Sequence, residues 1–504
     1  MPLILALLVL ALPFTATATE PELENSVRTL TEVFAALEEN LADPFSAEEA
    51  LYQGALPAMV RRLDPHSAFL DPQQFDSLKQ MQRSTDTGFG SVVSVTPGRV
   101  VVLQTLAGSP SARSGLTPGD EFAVVNGYPL AQLNMDQLAA LLSQSRRQKV
   151  ELLIKRPNFP RLIPVVLTPE EVADPSVPLR FLMKDKVAYI KIASFEHSTD
   201  QELRDAIDRL GGESLEGVVL DMRKNPGGSV ESAVRLAAMF LEPNQRVLWI
   251  QGKDGPQDEV RVPEGNQPYR FPLAILVDER TASAAELVTG ALQDHDRAVV
   301  VGQPSFGKGL VQSVFELSEK AGLALTTAHY LSPSGRPIQT PFADCSSYEL
   351  SECGDSEEQA RTYTTDAGKP IPGGGGIRPD QVVGPKLFPP FQGLLKSSGV
   401  LLDFAQEYIR GKKIPDDFKV TSSVLDQFQL YLSERGGRPA LDVWTANVEF
   451  IRYSLEQEIV TLSLGVDRGE QIELMHDPQV LAALTAVSAA APRTKRLEDV
   501  PSQP

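Results

Sequence analysis

Two stretches of this chain carry residue types able to do nucleophilic chemistry, and they lie close together in sequence. In the first, the apolar, branched run Pro272-Leu273-Ala274-Ile275-Leu276-Val277-Asp278 gives way to Glu279-Arg280-Thr281-Ala282-Ser283-Ala284-Ala285-Glu286-Leu287. The run predicts a buried strand. The small residues with Glu286, continued by Leu287 and Ala291, predict a helix beginning near Ala282. A strand turning tightly into a helix leaves the first helical N–H groups without partners inside the helix. Ser283 falls at that junction, where its hydroxyl and the Ala284 N–H would both face outward. Those are the parts of a nucleophile with an oxyanion site beside it. A serine that only caps the helix would give the same local pattern.

The second stretch is Asp296-Arg297-Ala298-Val299-Val300-Val301-Gly302, which predicts a strand, followed by Gln303-Pro304-Ser305-Phe306-Gly307-Lys308-Gly309-Leu310-Val311-Gln312. Lys308 lies between two glycines, so the backbone there can pack closely against a neighbour; a solvated loop lysine would look alike. Gly302 through Lys308 also spells the first seven positions of a phosphate-binding loop. However, Gly309 stands where a Ser or Thr should reach magnesium, and Leu310–Phe315 alternates as a strand where a helix is required. The sequence therefore speaks against a nucleotide site.

Composition bounds the rest. The 504 residues, 42% hydrophobic and 22% charged, have the profile of a globular protein, of roughly three domains on length alone. A formal charge of −19 argues against nucleic acid and anionic membrane as partners, since both recruit basic surface. Leu3 to Phe14 is an apolar run too short to span a bilayer comfortably. Ala16-Thr17-Ala18 after it fits small-residue cleavage, so residues 1–18 are expected to be an export signal. The expected location is the bacterial periplasm. No Lys or Arg precedes Arg28, so retention of an uncleaved N-terminus at the inner membrane is the alternative. The two cysteines, Cys345 and Cys353, share one polar insertion, and in an exported chain a local disulfide is the expectation.

In chain order, Val27, Leu30, Val33, Phe34, Leu37 and Leu41 recur at helical spacing, and Asp43-Pro44 stops that helix. Ser46 with Glu49 is a capping-box start for a second helix through about Leu63. Residues 19–75 thus form a helical lead-in, closed by Asp64-Pro65-His66-Ser67. His66 could be read as catalytic, although a structural hydrogen-bonding role is the simpler reading. Beyond residue 76 the period changes to that of strands: Gly88–Val95 and Val100–Leu103, joined by Thr96-Pro97-Gly98. A helix over Asn134–Ser143 and a strand over Val150–Ile154 follow. With the string from Ser109 to Gly127, residues 76–168 resemble a PDZ domain. Gly88-Phe89-Gly90 occupies its carboxylate-binding loop, and strand Ser91–Val95 would receive a peptide by β-augmentation.

Thr168 to Pro178 reads as a linker. Strands Val187–Ile192 and Gly217–Asp221 then alternate with helices marked by Leu203, Ile207 and Leu210 and by Ser229–Leu241, which predicts an α/β core with a largely parallel sheet. Asn225-Pro226-Gly227-Gly228 sits at a strand-to-helix turn, where glycine lets a backbone N–H approach a substrate. A simple tight turn would read the same.

Taken together, these strings resemble the carboxyl-terminal processing proteases, also called tail-specific proteases. The resemblance rests on Leu63-Asp64-Pro65-His66-Ser67, the PDZ segment, Asp221–Gly228, Thr281–Glu286 and Phe306–Gln312. It extends to Gly322–Ala328, Ser332–Arg336, and Gly373–Gly376 with Ile377-Arg378-Pro379-Asp380. It spans about residues 25 to 385 and departs in small ways at Thr281, Met222 and Lys224. It implies a multidomain α/β protein with a protease core of the crotonase-like type over 169–385, a helical C-terminal region over 386–490 and a disordered tail over 491–504. By the same resemblance Ser283 is the nucleophile, Lys308 the general base and Gln312 the residue that orients the lysine. Gly228 and Ala284 would supply the oxyanion hole. Burial of Lys308 between its glycines, away from carboxylates, would favour the free amine. No cofactor or metal is implied. The expected partners are protein or peptide substrates taken by their C-termini, with an adaptor or a second copy of the chain as further candidates. None of the five histidines stands in a hydrolase motif, so a Ser-His-Asp arrangement has little support. A PDZ-bearing scaffold that has lost catalysis is the reading from another class, and the joint presence of Ser283, Lys308 and Gln312 counts against it.

Overall fold

A computed structural model describes residues 20–43, 46–64, 66–76, 87–146, 148–156, 159–172, 175–253, 255–317, 320–341 and 361–490. The expected export signal, Cys345, Cys353 and the 491–504 tail lie outside these residues.

The lead-in helix runs Glu20–Asn40 with Val27, Leu30, Val33 and Leu37 exposed. The expected second helix is irregular: Ala47–Glu49 and Leu56–Arg61 are α-helical and Ala50–Ala55 between them is π-helical. It leads to the strand Ala68–Leu70, which pairs antiparallel with Gly322–Ala324 and so ties the lead-in to the protease core.

The PDZ segment is an antiparallel sheet ordered Ser91–Thr96, Arg99–Thr105, Glu121–Val125, Val150–Lys155, Ile163–Leu167, around a core of Val100, Val102, Leu116, Phe122, Leu138 and Ile154. The expected strand Gly88–Val95 is broken at Gly90, whose φ of 67° lies in the left-handed region. Thr87–Gly88 instead pairs with Glu170–Glu171, so the expected linker partly belongs to the PDZ domain. Ser91–Thr96 is left at the sheet edge.

The core sheet runs Arg180–Leu182, Val187–Lys191, Gly217–Asp221, Leu273–Val277, Val299–Gly302, Gln381–Val382, parallel after its first pair. The strand period of two divides its side chains between two cores. Ala188, Ile190, Val218, Leu220, Ile275 and Val300 face the helices Thr199–Leu210, Val230–Ala238 and Ala284–Asp294. Tyr189, Val219, Ala274, Leu276 and Val301 face Val480, Ala483 and Val487 of the helix Pro478–Ala490. A second sheet joins Leu310–Glu316 and Gly322–Leu331 to the hairpin of Arg246–Gly252 and Gly255–Arg261, which the sequence reading did not anticipate.

The C-terminal region carries the helices Val400–Tyr408, Ser422–Glu434 and Leu441–Leu464. They enclose an aromatic-rich core that also takes in Val101 of the PDZ sheet. Arg99 of the same PDZ strand pairs with Glu121 at 2.9 Å and with Asp403. Among the described residues no helix is long and apolar enough to cross a membrane.

Candidate active site

Every residue of the strand Leu273–Val277 and of the helix Ala284–Asp294 is buried. The helix starts at Ala284 because Ser283 itself cannot be helical: its φ is 55° and ψ −120°. A non-glycine residue held there costs about 1–3 kcal/mol and persists only where its surroundings impose it. The surroundings here centre on Glu286. Its fully buried carboxylate accepts from the Ser283 N–H at 2.8 Å, the Lys308 N–H at 2.8 Å, the Gly307 N–H at 2.7 Å and the Ser305 hydroxyl at 2.5 Å. Ser305 Oγ in turn accepts from the Ile377 N–H at 2.6 Å. Burial pushes the Glu286 carboxyl above the ordinary carboxylate value, and the four donors pull it back.

The sequence reading missed this role, although Ser283 and Glu286 stand at the spacing of a capping box, in which the third helical residue reaches back to the cap N–H. The expectation that the Lys308 amine lies away from carboxylates concerns its side chain; its backbone does reach one, since the N–H groups of Ser283 and Lys308 meet at the same oxygen of Glu286. The glycines around Lys308 are needed as expected. A Cβ on Gly307 would lie 1.9 Å from Thr340 Oγ1, and one on Gly309 would lie 2.6 Å from the Gln339 nitrogen. The phosphate-loop reading fails on the same geometry. The Gly307 and Lys308 amides already hold an internal anion, and Leu310–Glu316 is a strand.

The Lys308 side chain is half-buried. Gln312 lies four residues on, in the strand Leu310–Glu316, and its side-chain amide donates to the His66 carbonyl at 2.8 Å; no hydrogen bond joins it to Lys308 among the described residues. The His66 N–H donates to Asp64 at 2.8 Å. Burial and then the charge of Lys308 push the His66 imidazole below its usual value, against Asp64, so His66 stands within electrostatic reach of the amine.

The turn carrying Gly228 abuts the serine. Ala282 N–H donates to the Asn225 carbonyl at 2.9 Å, and a Cβ on Gly227 would lie 2.7 Å from Ser283 Cβ and 2.9 Å from the Ala284 nitrogen. Gly228, at φ 138°, passes so close to Phe195 that a Cβ would meet its carbonyl oxygen at 2.2 Å. Asn225 braces the turn by donating to Ile192 and accepting from the Gly227 N–H. Among the described residues neither the Gly228 nor the Ala284 N–H is engaged in a hydrogen bond. Nor do any three His, Cys, Asp or Glu side chains group as metal ligands there.

Gly88, Phe89 and Gly90 line one end of a cavity of about 340 Å³. Its walls are Val93, Leu106, Phe122, Leu142 and Leu152, with Arg146 at its rim.

The model of peptidase family S41 matches residues 186–342, and that of a PDZ domain matches residues 101–156. A carboxyl-terminal-processing protease of Synechocystis sp. (strain ATCC 27184 / PCC 6803 / Kazusa) is 31% identical over 303 residues, covering 58% of this chain and 70% of that protein. The chain belongs to the carboxyl-terminal-processing proteases of peptidase family S41. The carboxy-terminal processing protease CtpA of Bacillus subtilis (strain 168) is 30% identical over 300 residues, 58% of this chain and 62% of the relative. Carboxyl-terminal-processing peptidase 2, chloroplastic, of Arabidopsis thaliana is 34% identical over 311 residues, 59% and 60%. The chain thus spans about three fifths of the length of the latter two. The solved photosystem II D1 C-terminal processing protease overlaps at a TM-score of 0.42 and 25% identity, over 72% of this chain and 88% of that one. All the residues just described around Ser283 and Lys308 fall inside the S41 segment except His66, Asp64 and Ile377.

Proposed function

We propose that this family member is an exported serine endopeptidase that hydrolyses peptide bonds near the C-terminus of protein substrates. Ser283 attacks the scissile carbonyl. Lys308, as the free amine, takes the hydroxyl proton and returns it to the leaving nitrogen as the C–N bond breaks; water then attacks the Ser283 ester, gives its proton to Lys308, and the acid leaves as that proton returns to the serine oxygen. The Gly228 and Ala284 amides receive the oxyanion, and Gln312, anchored on His66, fixes the wall beside the lysine. The observation that carries this reading is the shared oxygen of Glu286, which holds the backbones of nucleophile and base in one buried constellation. The parallel core sheet supports the crotonase-like description of residues 169–385.

The PDZ domain captures the substrate: Gly88–Gly90 amides receive its terminal carboxylate, the edge strand Ser91–Thr96 pairs with its backbone, and the apolar cavity takes its last side chain. Export to a bacterial periplasm, and an adaptor or second copy as partner, are part of the same reading. The test is mass spectrometry of the products from one unfolded protein substrate. Wild type is expected to yield fragments cut in the C-terminal region, and Ser283→Ala none. Identical fragments from both would sink the reading.

A further inference from the structure

The Gly227–Gly228 turn is braced from a part of the chain that lies far outside the segment matched to family S41. Arg223 precedes the turn by four residues and is largely buried, with 13% of its side chain exposed. Its guanidinium clamps Asp221, at 3.0 Å from Nε and 2.6 Å from Nη2. Its carbonyl accepts from Lys191 Nζ at 2.7 Å. Its remaining arm, Nη1, reaches across to the C-terminal helices, donating to Asp477 Oδ2 at 2.6 Å and to Gln479 Oε1 at 2.7 Å. Burial works to raise the Asp221 carboxyl, but Lys191 and Arg223 hold it well below the usual carboxylate range.

Asp477 has two jobs, one for each oxygen. Oδ1 accepts from the Gln479 N–H at 2.8 Å and so starts the helix Pro478–Ala490. Oδ2 faces Arg223. Gln479 is also held from behind, its amide donating to the Val383 carbonyl at 2.8 Å. The helix they begin is seated on the core sheet through Val480, Ala483 and Val487, with Val487 against Gly217. Arg223 is therefore gripped by an anchored element and not by a loose side chain.

We propose that Asp477 and Gln479 are positioning residues for the oxyanion turn: by holding Arg223 they fix where the Gly228 N–H points. The inference rests on the protease reading above. A buried guanidinium that loses one of its acceptors shifts to recover it, and Arg223 shares Asp221 between guanidinium and backbone: its own N–H donates to Asp221 Oδ1 at 2.9 Å, so a shift of the side chain disturbs the carboxylate on which the start of the turn hangs. Misplaced donors weaken the transition state more than the bound substrate, because the oxyanion exists only there.

The test uses the full chain, an internally quenched peptide and a peptidyl boronate, which forms a tetrahedral adduct on the serine. Asp477→Asn keeps Oδ1 for the helix start and removes the acceptor for Arg223. It is expected to lower kcat about tenfold, less than the roughly hundred- to thousandfold cost of losing an oxyanion donor outright, and boronate affinity in proportion. KM and binding of a C-terminal peptide should stay near wild type, with kcat compared at temperatures where both proteins are fully folded. Adding Gln479→Glu returns a carboxylate to an atom position already in contact with Arg223, while giving up the amide donated to Val383, and should restore both losses in part. Backbone hydrogen exchange at residues 225–228 should speed up in the single variant and recover in the double. An unchanged kcat, or a loss of kcat without a loss of boronate affinity, would overturn the positioning role. A fall that tracks melting temperature and is not restored would overturn it too. A wild type that cleaves nothing would instead bring down the protease reading.

Discussion

The two working regions of this molecule are built on opposite principles. The reaction centre is over-determined: one buried carboxylate takes four donors, a serine is held at φ 55°, and the facing turn is braced by Asn225 and by Asp221 through Arg223. The PDZ cavity is held open by little more than glycine backbone, an edge strand and apolar walls. The difference follows from what the proposed function asks of each. A proton transfer and an oxyanion demand atoms placed within a fraction of an ångström. A site that accepts the ends of different chains needs backbone donors and a greasy pocket.

Removing Glu286 should produce the largest contrast. Glu286→Ala leaves four donors without an acceptor in a buried site, which at about 1–3 kcal/mol each is expected to lower stability by several kcal/mol and abolish hydrolysis. Denaturant unfolding followed separately for core and PDZ domain would show the loss in the core alone, with C-terminal peptide binding retained. Gly90→Ala attacks the other region. Its Cβ would meet Ser109 Cβ at 2.3 Å from a left-handed backbone. Peptide binding, read by fluorescence polarisation, is expected to weaken about tenfold or more, the scale of one such strain, while turnover of a short ester stays at wild-type level. A smaller effect has the opposite sign. Ser283→Gly relieves a backbone that only glycine adopts freely, so the inactive variant should be more stable by about 1 kcal/mol.

The last effect, on the pH profile alone, lies outside both regions. Burial, against Lys396 and with Glu473, pushes the Glu458 carboxyl up to about 7. A carboxyl whose folded value exceeds its unfolded one keeps its proton in the fold after the unfolded chain has lost it, so stability falls as pH rises from about 4.5 toward 7. Glu458→Gln should flatten that part of the melting-temperature profile, leaving cleavage and peptide binding alone.

The same contrast explains how much the sequence disclosed. The Ser283 junction was legible because Leu273–Val277 and the small residues after it change period abruptly. Gly307-Lys308-Gly309 and Gly227-Gly228 were legible because glycine marks close approach. The helix starts two residues later than its composition implies, because nothing in the composition announces a positive φ at a serine. Glu286 looked like an ordinary helical residue, since its burial depends on a loop that arrives from Ser305 to Lys308. The Arg223–Asp477 contact joins residues 254 apart, and no local pattern encodes it. In the PDZ segment the strand from Gly88 was over-extended because alternation continues through Gly90 while the backbone does not.

The central claim is that the Lys308 amine activates the Ser283 hydroxyl. It is tested most directly by the rate at which a fluorophosphonate probe labels Ser283 in wild type and in Lys308→Ala, at equal fold stability and equal affinity for a C-terminal peptide. The account predicts labelling at Ser283 that slows by about a hundredfold or more without the lysine, the scale of general-base catalysis. Equal rates in the two proteins would contradict it.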